Sequence, residues 1–231
     1  MPGAERQAPE REPEAGGRFR MSRRGRIALK AIAWVLCLLP LAVLIHLAVQ
    51  GELGANPISF VTNWLGQWTF RLLLVSLAFT PLRILFGLAW PLQLRRLVGL
   101  FAFCYACLHL SVWVVLDHYF DWGEMWTDLL KRRYITAGMA ALTLLVPLAA
   151  TSTGGMVRRL GGAAWRRLHR LVYLVAVLAA LHFLWLAKAV RSEQYVYAAI
   201  VALLLGIRLW DSVRRRLRRR RVPVTTRPSP A

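Results

Sequence analysis

Three histidines stand in stretches of this chain that are otherwise apolar: His109, His169 and His182. Two of them bracket the run at 168–186, LHRLVYLVAVLAALHFLWL, and no residue from 171 to 187 carries a formal charge. Bulky apolar residues occupy every side of a helix wound from this run, so it reads as a membrane span and not as an amphipathic soluble helix. A histidine inside such a segment is costly without a partner, which marks it as a functional residue by default. A neutral imidazole in an apolar bundle is suited to ligate a metal, and heme is the common large metal cofactor there. The alternative is a histidine hydrogen-bonded to a neighbouring helix.

Depth separates the three. A span rising from the basic turn at Arg95–Arg96 places His109 twelve residues above Leu97, roughly 18 Å at 1.5 Å per residue. The span at 168–186 places His182 fourteen residues above Leu168, roughly 21 Å by the same rise. On parallel helices the two reach similar depth, so one heme between them could take both as axial ligands. A pair of imidazoles closes the iron to substrate and suits electron transfer. His169 lies thirteen residues from His182, roughly 20 Å lower. It also lies roughly 140° away around an ideal helix. The position facing it on the other span holds Arg95, Arg96 or Leu97, with no histidine. Either an inner heme takes His169 and an unidentified second ligand, or His169 with Arg166 and Arg167 faces a quinone head, a flavin phosphate or heme propionates, or it is an interfacial histidine.

Other reactive types read more plainly. Cys104 and Cys107 match C-x-x-C, but in mid-helix and in hydrocarbon, where no thiolate is stabilised, so they read as small packing residues. With Cys37 they are three, which permits no disulfide framework at that depth. Arg71 and Arg83, twelve residues apart on one span, can each snorkel to an interface, and Arg71 could instead meet a heme propionate. His46 and His118 read as structural.

The elements that must position these groups are six apolar spans, at about 27–49, 69–90, 97–116, 135–150, 168–186 and 195–210. Between them run a loop at 50–68 with Gly51, Gly54, Asn56 and Pro57 as turn chemistry, a basic turn, a loop at 117–133 whose aromatic middle lies along the surface, a loop at 151–167, and a short turn at 188–193. Residues 1–26 form a polar, disordered, basic cytoplasmic tail; Met21 opens MSRRGR, so the first twenty residues also read as an extension set by start-site choice. Residues 211–231 form a second disordered basic tail, almost all arginine from 214 to 221 and suited to an anionic inner leaflet. The first span is too long for a signal-peptide core and reads as an uncleaved helix. Nearly all arginine outside the loops at 50–68, 117–133 and 188–193 then falls on one side. That places both termini in the cytoplasm of a multi-pass bacterial inner-membrane protein.

Composition agrees. Of 231 residues, 57% are hydrophobic, and the mean hydropathy is +0.45, which excludes an ordinary soluble domain. A net charge of +20 invites a nucleic-acid reading. The basic residues nevertheless lie in tails and alternate loops, where positive-inside topology explains them. The fold expected is therefore all-α: a heme-binding bundle of six transmembrane helices.

Several landmarks occur together between about Trp34 and Trp210: GELGANP at 51–57, Thr80-Pro81, RRLVGL at 95–100 leading to Leu108-His109-Leu110, Thr151-Ser152-Thr153, and WRRLHRLVY at 165–173 running on to His182. With these the chain resembles the MsrQ (YedZ) family of heme-binding membrane subunits of the periplasmic methionine sulfoxide reductase system, within the ferric-reductase-like transmembrane group. The resemblance implies b-type heme, one or two, with ligand histidines matching His109, His169 and His182, and FMN in some members. It implies electrons drawn from the quinone pool or a cytosolic flavin reductase and passed to a periplasmic molybdopterin enzyme that reduces methionine sulfoxide in oxidised proteins. Broader relatives carry two histidines on each of two helices, and this chain lacks the inner one on the third span. A ferric-reductase-like or other cytochrome b electron carrier with a different partner is the nearest alternative. A transporter, which should show inverted repeats and intramembrane carboxylates, or a scaffold acting through the basic tails, is the non-redox alternative. No clear repeat is visible, and no Asp or Glu lies in the first five spans.

Overall fold

The structure, a computed structural model, describes residues 22–186 and 192–220. Their regular structure is helical throughout: α1 (Arg23–Gln50), α2 (Pro57–Phe86), α3 (Arg95–Val112), α4 (Trp122–Lys131), α5 (Arg133–Ala150), α6 (Gly154–Leu168), α7 (Leu171–Leu186) and α8 (Ser192–Arg220). A 3₁₀ turn at Trp90–Gln93 leads into α3, and a π-helical turn at Trp113–Asp117 leads out of it. Five helices are long and apolar enough to cross a membrane, and the pair α6–α7, bent by 45°, makes a sixth crossing if taken as one broken span. The protein is an all-α multi-pass membrane protein of five or six spans; the six expected from hydropathy require α6–α7 to cross as one.

Most boundaries follow from caps. Ser22 accepts from the Gly25 N–H and starts α1, and Gly51, at φ 74°, ends it. Asn56 accepts from the Ser59 N–H, and Pro57 occupies the first turn of α2, where a missing N–H removes no bond. Asp121 caps α4 and Thr153 caps α6 in the same way.

Three stretches expected as loop are helical. α2 begins at Pro57, so Trp64 and Trp68 stand on a helix and not in a loop; the Asn56-Pro57 cap outweighs the weaker hydropathy of its first turns. α4 occupies most of the 117–133 connection, with exposed Trp122, Trp126 and Leu130 on one stripe. Its polar side is tied down by buried His118, which sits 3.4 Å from Asp128, itself paired with Arg132 at 2.9 Å. α6 occupies most of the 151–167 connection and is broken at Gly161, whose φ of 74° and ψ of 148° only glycine adopts freely. The last helix also differs: α8 runs through the arginine run to Arg220, past the boundary expected near Trp210. Residues 1–21, 187–191 and 221–231, which hold most of both expected tails and of the short turn at 188–193, lie outside the described residues.

The bundle is built from two intimate helix pairs, α2 with α3 and α5 with α7, which meet through α3 and α5. α8 rests on α7 and α2, and α1 rests on α3 and α2. Pro40 interrupts α1, and α2 and α3 repair it. The Tyr105 hydroxyl accepts from the Leu41 N–H at 3.0 Å and donates to the Cys37 carbonyl at 2.8 Å. It thereby stands inside a bond those two groups would otherwise share in a regular helix. Trp64 Nε1 donates to the Pro40 carbonyl at 3.1 Å. The cysteines are free; Cys37 is buried and Cys104 exposed.

Candidate functional site

α3 and α7 run in the same direction, and each carries one histidine close to the end farther from the arginines. The half-buried His109 and His182 rings face each other, centroids 6.2 Å apart and planes at 82°. His109 Nδ1 lies 2.9 Å from the Thr62 carbonyl on α2, and His182 Nδ1 lies 2.6 Å from the Tyr134 carbonyl on α5. A carbonyl only accepts, so in each ring Nδ1 carries the hydrogen and donates it. Nε2 is left as a free lone pair on both. Each ring is thus oriented by the helix it packs against, and each keeps one ligating nitrogen. An imidazole nitrogen sits about 2 Å from a first-row metal. Two such bonds plus two ring half-widths give roughly 6 Å between centroids, which matches the observed separation. Among the described residues no group of three or more His, Cys, Asp or Glu side chains converges. The protein therefore offers a metal here two nitrogens and no further donor of those types.

His169 has a different setting. It caps α6 at the bend into α7 and stacks on Trp165, centroids 3.9 Å apart. The Thr151 hydroxyl donates to the Pro147 carbonyl at 2.6 Å, so toward His169 Nε2, 3.3 Å away, it acts as acceptor. His169 therefore holds its hydrogen on Nε2, the reverse of the other two. Trp165 Nε1 donates to the Thr151 carbonyl at 2.9 Å and fixes the same corner. Trp165 and His169 border a cavity of about 370 Å³ whose lining also includes Thr80, Arg83, Arg95, Arg96 and Gly99. Among the described residues no carboxylate lines it, and the buried Thr80 hydroxyl meets no hydrogen-bond partner.

The remaining expected site residues fall elsewhere. Arg166 and Arg167 are exposed on α6 and do not line the cavity. Arg83, Arg95 and Arg96 do, and of these the depth argument points only to Arg95 and Arg96. Arg71 points to the α8 side: Nε donates to the Tyr197 hydroxyl at 2.7 Å and Nη2 to Gln67 at 3.2 Å, with Glu193 3.8 Å from Nη2. His46 is exposed, and His118 belongs to the α4 anchor. Hydropathy gave no signal for Gly66 and Gly138, which lie directly under the two facing rings.

The profile of the ferric reductase like transmembrane component matches residues 65–180. A protein of Rhodospirillum rubrum is 57% identical over 84% of this chain and 91% of its own length. One from Ralstonia nicotianae is 46% identical over 79% and 85%, and one from Caulobacter vibrioides 47% over 79% and 87%. The chain belongs to the MsrQ family of ferric-reductase-like membrane proteins. Each of those MsrQ relatives is named protein-methionine-sulfoxide reductase heme-binding subunit. The matched segment takes in Gly66, His109, Gly138 and His169 and stops two residues short of His182.

Proposed function

We propose that this chain is the heme-binding, electron-transferring subunit of a methionine sulfoxide reductase system, with one heme b held between His109 and His182. The observation that carries this is the facing pair of rings, each with Nδ1 pinned to a carbonyl and Nε2 free, at the separation two axial imidazoles require. Two protein nitrogens, with no third His, Cys, Asp or Glu converging on them among the described residues, suit an iron whose other positions would be filled by a macrocycle. Bound there, heme supplies a one-electron carrier closed to outside ligands. The residues of this chain orient the rings and pack α2, α3, α5 and α7 around them, and His109 and His182 would hold the iron.

The cavity beside His169 is the proposed point of electron delivery. It lies at the arginine-rich end of the bundle, and its lining can receive a ring with polar or acidic substituents: a quinone head, a flavin such as FMN, or a second heme whose propionates meet arginine. The donor is the quinone pool or a cytosolic flavin reductase. The acceptor is a periplasmic molybdopterin catalytic subunit that reduces methionine sulfoxide in oxidised proteins. This requires both termini in the cytoplasm of a bacterial inner-membrane protein, as the arginine distribution favours.

Two measurements test the proposal. The purified protein should show a low-spin b-type absorption spectrum, and a featureless visible spectrum would end it. A reporter fused after Ala231 should be active only inside the cell; activity in the periplasm would invert the direction of transfer.

A further inference from the structure

Both facing histidines rest on the same device. Thr62 and Gly66 on α2 are four residues apart, as are Tyr134 and Gly138 on α5. One helical turn places carbonyl and glycine on the same face of their helix. In each case the histidine of the partner helix donates Nδ1–H to the carbonyl and lays its ring over the glycine. A Cβ on Gly66 would stand 3.1 Å from His109 Cε1 and 3.2 Å from Nδ1. A Cβ on Gly138 would stand 2.7 Å from His182 Nδ1 and 3.0 Å from Cε1. Glycine is the poorest ordinary residue for a helix interior, so its presence at two matched positions needs a reason. The close approach supplies one.

We infer that Gly66 and Gly138 are positioning residues for the axial ligands: each carbonyl–glycine turn is a seat that fixes the depth and rotation of one imidazole, and together the two seats set the rings near perpendicular. This rests on the proposal that His109 and His182 share one heme. The two seats belong to the two intimate pairs, α2 with α3 and α5 with α7, so each pair brings its own ligand ready oriented. Ring orientation matters because the planes of two axial imidazoles govern the electronic structure of a low-spin ferric iron. Perpendicular planes give a highly anisotropic paramagnetic resonance signal, and parallel planes give a rhombic one. Groups that orient a ligand also set its basicity and the stability of its bond to the metal.

The experiment compares Gly66→Ala, Gly138→Ala and Gly206→Ala in the full chain, purified from membranes. Gly206 lies within α8 with nothing within 4 Å of its would-be Cβ, so it controls for the alanine itself. Alanine improves helix propensity at all three sites, so loss at a seat is a contact effect. Heme content, heme affinity of the stripped protein and the ferric resonance spectrum are read on each. Gly138→Ala should weaken heme binding about 10- to 100-fold and move the residual signal away from the anisotropic form. Gly66→Ala, with the smaller overlap, should do the same to a lesser degree, and it carries the test alone if Gly138→Ala does not accumulate. Gly206→Ala should match wild type. Wild-type affinity and signal in both seat variants, or equal losses in Gly206→Ala, would overturn the inference. His182→Ala on the same footing tells the two ideas apart. If it keeps heme, the shared-heme proposal fails. If it loses heme while the glycine variants stay unchanged, only the seats fail.

Discussion

At one end of the bundle His109 and His182 donate Nδ1–H to helix carbonyls and keep Nε2 free; at the other, His169 donates Nε2–H to the Thr151 hydroxyl and keeps Nδ1 free. The first setting is two-sided, with a ring from α3 meeting a ring from α7. The second is one-sided, with Trp165 beneath the imidazole and arginines across a cavity. Both settings use the same residue type on or beside the same helix. What differs is the neighbour each ring is given. A carbonyl behind Nδ1 leaves the other nitrogen free to take up a metal, whereas a hydroxyl on Nε2 engages that nitrogen and leaves Nδ1 free. A histidine in an apolar span is therefore not one kind of site, and the hydrogen-bond partner decides which kind it is.

The sharpest way to break this comparison is to remove the facing pair. His109→Ala or His182→Ala should each abolish low-spin heme at that site, because one axial ligand is lost, and the Soret band reports it. If either variant keeps wild-type heme content, the two rings do not share an iron. A smaller effect is expected from the other setting. His169→Ala should leave the His109–His182 heme largely in place and slow its reduction by a quinol analogue or a flavin reductase roughly tenfold or more. Stoichiometry and reduction rate are to be read on one preparation. Loss of all heme would mean a single shared site, and an unchanged rate with unchanged stoichiometry would make His169 an interfacial residue.

The same assay sharpens which arginines belong to the cavity. Arg95→Gln and Arg96→Gln should slow reduction, since both line it, while Arg166→Gln and Arg167→Gln, exposed on α6, should stay close to wild type. The reverse ranking would move the delivery point off the cavity. The smallest effect concerns neither setting. Tyr105→Phe removes the hydroxyl that bridges Cys37 and Leu41 across the Pro40 break. It should lower stability by about 1 kcal/mol, since the two backbone groups can partly re-pair. Thermal unfolding in detergent checks it, with the heme spectrum unchanged.

Much of the fold is legible in the sequence. Span count follows from apolar run length, because a chain in hydrocarbon must satisfy its backbone internally and can do so only as helix. The matching depth of His109 and His182 follows from a fixed rise per residue, and the rings do meet. The absence of a histidine opposite His169 was likewise readable, since it needs only that α3 open at Arg95. Hydropathy fails where helices are not apolar: the first turns of α2, amphipathic α4 and the arginine-rich α6 and end of α8 read as loop or tail by hydropathy but are helical.

Sequence by itself thus determined the class of the molecule, its spans, and the two residues that face each other near one end, because periodicity and hydropathy are local properties. Tertiary structure alone decided which nitrogen each imidazole presents, that Arg83, Arg95 and Arg96 and not Arg166 and Arg167 border the cavity, and that Gly66 and Gly138 lie under the rings. Those facts depend on which helix packs against which. Thr62 and His109 are 47 residues apart and Tyr134 and His182 are 48 apart, and no local pattern records a contact that only the pairing of α2 with α3 and of α5 with α7 creates.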